Sequence, residues 1–371
     1  MIVADQTKYL TDTKRHFEIL DGLRGVAALA VVIFHFMESI TPDLKDNFIA
    51  HSYLAVDFFF CLSGFVIAYA YDVKFAKIGI ANFLKLRLIR LHPLVIIGVV
   101  LGLICFMLDP FSSLFEEYSA KTVVMFITSC LMIPYPAVEE RYFNLFHLNP
   151  PTWSLFWEYV ANIFYALFLV KIRNKVLWGL VTIAAVLLCF EAIRSNNLLG
   201  GWGSPSVAAG GIRVFYSFLA GMLIYRMNWI IKNPLGFLPL SLLLSLAFLM
   251  PFVEKFNWLN DLVTVLFYFP LLIALGAGSL LKPAYLKVCR FSGAISYPLY
   301  MVHYPFLWVF HSYVLQNNPP VNEMIAITVV GVPLLVAFAY CIMAFVDVPV
   351  RKYLKEKFIP RREANQYKQG S

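Results

Sequence analysis

Charge is scarce in this chain. Only 14% of its 371 residues are Asp, Glu, Lys or Arg, against 60% apolar residues, and the mean hydropathy is +0.73. Such a composition excludes a water-soluble domain and describes a polytopic membrane protein. Closely spaced cysteines are missing as well. Cys61, Cys105, Cys130, Cys189, Cys289 and Cys341 are scattered, mostly within apolar runs, so neither a disulfide framework nor a metal site is expected. No small-residue cleavage site follows the polar start that carries Lys8, Lys14, Arg15 and His16. A removable signal peptide is therefore not expected, and the first apolar helix should be retained. Internal repeats and low-complexity segments are absent, and the polar residues 366–371 are expected to be disordered. A net charge of +8 needs no nucleic acid to explain it, because basic loops facing an anionic leaflet suffice.

What is present is a series of apolar segments of about 17 to 25 residues, long enough to span hydrocarbon. They begin near Leu20, Ser52, Leu91, Thr152, Val176, Ile212, Gly236, Leu262, Phe291 and Met324. The expected fold is all-α, with ten transmembrane helices in one membrane-embedded domain over residues 1–371 and a short disordered tail from about 360. Lys and Arg of short loops are retained on the cytoplasmic side. The basic segments 14–15, 74–90, 171–175, 226–232, 282–290 and 351–368 all fall on one side only if the apolar stretch 121–134 does not cross. That stretch is expected to be a re-entrant or interfacial element within a long outer loop, 109–151, with both termini cytoplasmic.

Ionisable residues at membrane depth are costly and mark function by default. In the first helix, Arg24 and His35 are separated by ten apolar or small residues, which places them about 20° apart around a helix and about 16 Å apart along it. The stripe Arg24, Ala28, Val31, His35 carries little bulk between its ends, so a slender ligand could lie along it. A snorkelling arginine and a structural histidine are the competing explanation. Asp57, toward the outer end of the second helix, is read as a helix cap, or as a carboxylate orienting a histidine on a neighbouring helix. Arg87 and Arg90, three apart before the third span, suit a phosphate or pyrophosphate, or an interfacial helix on anionic lipid.

The fourth helix opens with Trp153, Trp157 and Glu158. Glu158 is expected at the outer depth of His35, beside indoles that serve either as interface anchors or as a surface for a sugar ring. Arg213, near the outer end of the sixth helix, is expected at the surface or in support of an acceptor. Glu191 and Asp347 read as end-of-helix residues. In the ninth helix Ser296, Tyr300 and His303 follow i, i+4, i+7 spacing on one face, and Pro298 is expected to kink the helix between them. His311 reads as structural, and His16, His51, His92 and His147 carry no assigned role.

Together these residues resemble the acyltransferase 3 family of integral-membrane acyltransferases, over roughly residues 17–353. Four signatures carry the resemblance in order: Asp-Gly-Leu-Arg-Gly with His35 following, Val-Asp-Phe-Phe-Phe-x-x-Ser-Gly-Phe, Trp-Ser-Leu-x-x-Glu, and Ser-Tyr-x-x-Tyr-x-x-His. The resemblance implies ten membrane helices with cytoplasmic termini. It also implies transfer of an acyl group, commonly acetyl from acetyl-CoA, to a hydroxyl of a carbohydrate or other small acceptor at or across the membrane. On it Arg24 matches the helix-1 arginine, Arg87 and Arg90 the donor-contacting pair, His35 the essential histidine and Glu158 the helix-4 carboxylate. Some members carry an extracytoplasmic esterase-like domain. This chain stops soon after its tenth span, so any hand-off to such a domain is expected to use another protein.

The expected activity is an acyl-CoA-dependent O-acyltransferase modifying polysaccharide of the cell envelope, multi-pass in a bacterial cytoplasmic membrane. A hydroxyl is a poor nucleophile at neutral pH, so a neutral imidazole must take its proton, and His35 is the choice. Arg24, Arg87 and Arg90 would neutralise the CoA phosphates while the pantetheine arm reaches toward His35. Acceptor would enter past Glu158, Trp153 and Arg213. Tyr300, or a backbone N–H freed by the kink at Pro298, would stabilise the oxyanion. A two-step route through an acylated His35 or His303 is equally allowed. The alternative from another class is a secondary transporter of an acylated glycan, which commonly shows two related halves; none is visible here. Acetyl-CoA is expected as a co-substrate, with no permanently bound cofactor.

Overall fold

The computed structural model describes residues 16–359; Lys14, Arg15 and the expected tail from 360 lie outside the described residues. The described chain is all-α, with only two isolated β-bridges, between Asn144 and Gly203 and between Asn233 and Ser279. Its helices are α1 (Glu18–Ile40), α2 (Ala55–Tyr71, entered through a 3-10 turn Ala50–Leu54), α3 (Phe75–Met107), α4 (Leu114–Cys130), α5 (Thr152–Leu167), α6 (Asn174–Ser195) and α7 (Val207–Arg226). There follow α8 (Phe237–Phe248) and α9 (Asn257–Val263), the latter continuing through a π turn (Thr264–Tyr268) into α10 (Phe269–Gly278). The last are α11 (Leu286–Val302), α12 (Tyr304–Asn317) and α13 (Val321–Ile342), which a π turn (Met343–Asp347) joins to α14 (Val348–Phe358).

Helix is the expected state of such runs, because in lipid each backbone N–H and C=O must be satisfied within its own segment. Seven of the described helical segments are long and apolar enough to cross a membrane: Glu18–Ile40, Ala50–Tyr71, Phe75–Met107, Asn174–Ser195, Ser204–Arg226, Glu254–Gly278 and Val321–Phe358. The other expected spans correspond to the shorter helices α5, α8 and the pair α11–α12. The stretch expected to be re-entrant lies mostly in α4, which starts earlier, at Leu114, and buries Tyr118, Thr122, Met125 and Ser129 on one face.

Helices α1, α2, α7 and α11 form the interior, α1 lying against α2, α8, α11 and α13, and α2 against α7. Small residues allow this. A Cβ at Gly64 would stand 2.0 Å from the Phe218 carbonyl oxygen, and one at Gly221 1.9 Å from that of Cys61, so α2 and α7 meet backbone to backbone. Helices α6 and α13 lie outside, with Val186, Phe190 and Val329 exposed, as lipid-facing residues would be.

Two local features differ from expectation. The segment carrying Arg87 and Arg90 is not a separate element before the third span. It is part of α3, which is broken only at Gly79, where φ is +72°, a backbone state open to glycine. In the ninth expected helix, α11 runs through Pro298 and the break falls at His303, ahead of Pro305. Pro305 has no N–H for the carbonyl of Met301 four residues back; that oxygen instead accepts a hydrogen bond from Asn149 Nδ2 at 2.9 Å.

Candidate active site

Two cavities occupy the bundle. The first, about 380 Å³, is lined by Arg24, Arg87, Arg90 and Arg351 together with Ser63, Ser154, Glu158, Ser296, Tyr300 and Asp347. Arg24 is held by α11: Nε donates to Ser296 Oγ at 2.9 Å, and Nη2 donates to the Gly293 carbonyl at 2.6 Å while facing Asp21 at 3.0 Å. Close approach of α1 to α11 makes this reach possible, since a Cβ at Gly25 would fall 1.8 Å from Ser292 Oγ. The glycines around Arg24 therefore serve packing, and the arginine serves the cavity.

Arg87, buried on α3, donates from Nη2 to Glu158 Oε1 at 2.9 Å, and Ser63 Oγ donates to the same oxygen at 2.6 Å. Glu158 thus does not share the depth of His35. It lies five residues, or about 7.5 Å, beyond Trp153 along α5, so Trp153 lines the second cavity while Ser154 and Glu158 line the first. The expectation that it lies at the outer depth of His35 is corrected: its partner is Arg87, on the wall of the first cavity. Arg90 shares the first cavity, where the Asp347 carboxylate lies within its electrostatic reach.

The second cavity, about 400 Å³, is lined by His35, Glu38, Ser39, Tyr53, Trp153, Trp202, Tyr304, Trp308 and His311, among others. His35 Nδ1 lies 2.5 Å from Glu38 Oε2. A carboxylate accepts from Nδ1–H, an arrangement that leaves Nε2 available as a base when the ring is neutral. Glu38 was not singled out from the sequence, although its i+3 position from His35 is the spacing at which helical side chains meet. His303 is fully buried, its Nδ1–H donates to the Leu299 carbonyl at 3.1 Å, and its Nε2 has no partner. Its ring stacks on His35 at 5.6 Å between centroids.

Tyr300 and Val56 line both cavities and form the partition between them. Ser154 Oγ donates to the Pro151 carbonyl at 3.0 Å, so the Tyr300 hydroxyl is the donor in its 2.8 Å contact with Ser154. The proline expected to free a backbone N–H frees a carbonyl instead, because what Pro298 lacks is the donor; no oxyanion donor arises there. Tyr300 remains as the donor at the partition.

Asp57 and Arg213 also take other places than expected. Asp57 sits in the first turn of α2, and its side-chain partner is an arginine, not a histidine. It binds Arg213, with Nη2 at 2.6 Å and Nε at 3.1 Å from Oδ2. Arg213 is 1% exposed, not a surface residue, and its remaining N–H groups donate to the carbonyls of Tyr53 at 3.0 Å, Gly200 at 2.8 Å and Leu199 at 3.5 Å. The guanidinium also lies 5.4 Å from the Trp153 ring centroid, so the pair fixes a wall of the second cavity. Trp157 lines neither cavity; its indole covers Gly210 and Gly211 of α7. Behind Trp308, Arg141 stacks on the indole at 4.2 Å. Burial lowers its pKa to about 10 and drives that of His147 well below the usual histidine value, with Arg141 adding repulsion.

A family model described as an acyltransferase domain matches residues 17–344. The chain belongs to the acyltransferase 3 family. Among its relatives, "Protein 2 in picA locus" of Rhizobium radiobacter is 35% identical over 188 residues, covering 47% of this chain and 94% of that protein. The O-acetyltransferase OatA of Staphylococcus aureus (strain MRSA252) is 24% identical over 387 residues, covering 94% of this chain and 60% of that protein. The chain thus spans about 60% of the length of its staphylococcal relative. No solved structure matches the chain.

Proposed function

We propose that this acyltransferase moves an acyl group, acetyl first among candidates, from acyl-CoA to a hydroxyl of a carbohydrate acceptor in the membrane of a bacterium. The observation that carries the reading is the meeting of two unlike cavities at Tyr300, one rich in arginine, the other in histidine and aromatic rings. Guanidinium groups suit the phosphates of CoA. The aromatic faces of Trp153, Trp202 and Trp308 suit the C–H faces of a sugar. A relative named as an O-acetyltransferase supports the acetyl group. The basic loops support cytoplasmic termini and a donor entering from the cytoplasm, with α5, α8 and the α11–α12 pair completing ten crossings.

In this reading the nucleotide rests against Arg24, Arg87 and Arg90, and the pantetheine arm passes Tyr300 to present its thioester to the second cavity. His35 Nε2 takes the proton of the acceptor hydroxyl as its oxygen attacks the thioester carbonyl. The Tyr300 hydroxyl turns from Ser154 to the developing oxyanion. Collapse breaks the C–S bond, and the thiolate recovers the proton from His35, giving ester and free CoA. Glu38 stabilises the transient imidazolium.

The test is release of CoA thiol from acetyl-CoA by purified protein given a glycan pool. Acceptor-dependent release that is lost in Arg24→Ala supports the reading. Acyl exchange into CoA without acceptor would replace direct transfer by an acyl-histidine route, and no thiol release with any acceptor would overturn the donor assignment.

A further inference from the structure

Residues Asp347 and Arg351 lie beyond the segment that the family model matches, which ends at residue 344, yet both line the arginine cavity. The π turn Met343–Asp347 puts them there. Ala339 faces the core, and an uninterrupted α-helix would return Val346, seven residues on, to that face. The wider turn adds a residue. Val346 and Val350 consequently line an apolar groove on the other side of the helix, with Leu88 and Ile89, while Asp347 and Arg351 point into the cavity.

The side chains are set for an anion. Asp347 is 1% exposed and forms an ion pair with Arg351 Nη2 at 2.5 Å, while both Asp347 oxygens, like Arg351 Nε and Arg87 Nε, are buried without a hydrogen-bond partner. Helix α14 packs against α3, which brings Arg90 to the same cavity. Four guanidinium groups therefore line it against two carboxylates, Glu158 and Asp347. Arg90 is exposed and Arg351 half-buried, whereas Arg87 is buried, so the first two lie at the rim and Arg87 at the floor.

We propose that Asp347 and Arg351 form, with Arg90, a phosphate clamp at the rim of the arginine cavity, making α14 part of the donor site. Asp347 orients the guanidinium, and its free Nε edge meets a phosphate oxygen of the nucleotide end of the donor. The inference rests on the acyl-CoA reading, and the experiment separates the two.

CoA and pantetheine, which shares the thiol arm but lacks phosphate, are titrated separately by calorimetry into the full chain in detergent. Arg351→Gln is expected to weaken CoA binding about ten- to a hundredfold, the loss of one charge-assisted contact, and to leave pantetheine binding unchanged. Arg351→Lys, which keeps the charge and loses the fork, should fall between. Equal CoA affinity in wild type and Arg351→Gln would overturn the clamp and leave the donor reading standing. Parallel loss of pantetheine binding would make Arg351 structural and overturn the phosphate assignment. Absence of CoA binding to the wild-type protein would overturn the donor reading, and the clamp with it.

Discussion

The imidazoles of His35 and His303 stack across the contact of α1 with the end of α11, 5.6 Å between centroids and inclined by 25°. They are not equivalent. His35 opens into the aromatic cavity with Glu38 on its Nδ1, whereas His303 is enclosed and tied to the Leu299 carbonyl. On the proposed reading, the open cavity and the carboxylate favour His35 as the base, with the His303 ring packed against it.

Glu38→Gln is therefore expected to lower kcat about tenfold or more, a part of the 10²–10⁴ that a general base supplies. KM for the acyl donor should stay put, because Glu38 lies outside the arginine cavity. Steady-state kinetics with varied acetyl-CoA check this; an unchanged kcat would remove Glu38 from the mechanism.

The Asp57–Arg213 pair is buried at 0% and 1% side-chain exposure, so removing one partner strands a charge. Asp57→Ala is expected to cost about 3–5 kcal/mol of stability. The double variant with Arg213→Met should recover part of that loss. Thermal unfolding in detergent reads both, and equal losses in single and double variants would contradict the coupling.

Gly221→Ala would drive a methyl to 1.9 Å from the Cys61 carbonyl oxygen. Separating two backbones is harder than moving a side chain. The expected cost is about 3 kcal/mol, the upper end for overpacking, seen as lower yield of folded protein and a lower unfolding midpoint. Gly179→Ala, where a Cβ meets nothing within 4 Å, should be neutral or stabilising and serves as the control.

His147 has a folded-state pKa well below its ordinary value because burial disfavours the charged ring. The unfolded chain binds a proton near pH 6.5 that the folded protein does not. Stability is then constant above that pH and falls as the pH drops below it, by up to about 1.4 kcal/mol per unit from this group. His147→Phe should flatten that part of the pH–stability curve measured between pH 7 and 5, and an unchanged slope would contradict the assignment.

Much of the site was legible in the sequence because ionisable side chains stand out in apolar runs. Arg24, Arg87 and Arg90 line one cavity, His35 lines another, and Tyr300 stands between them, in keeping with the helical spacing of the motifs. Depth was less legible. The position of Glu158 early in α5 suggests the outer depth of His35, but its partner Arg87 sits on α3, and no spacing within one helix reveals a contact across two. Asp57 and Arg213 are 156 residues apart in sequence, and their pairing required the fold. Glu38 was within reach of an i, i+3 count. Arg351 was not, because the π turn that rotates it inward leaves no sequence pattern that periodicity detects.

The most direct test is CoA thiol release from acetyl-CoA under saturating acceptor by wild type and His35→Ala, with CoA affinity measured on the same samples. The expected result is a fall in rate of about 10²–10⁴ with CoA affinity preserved. Undiminished release by His35→Ala would contradict His35 as the base.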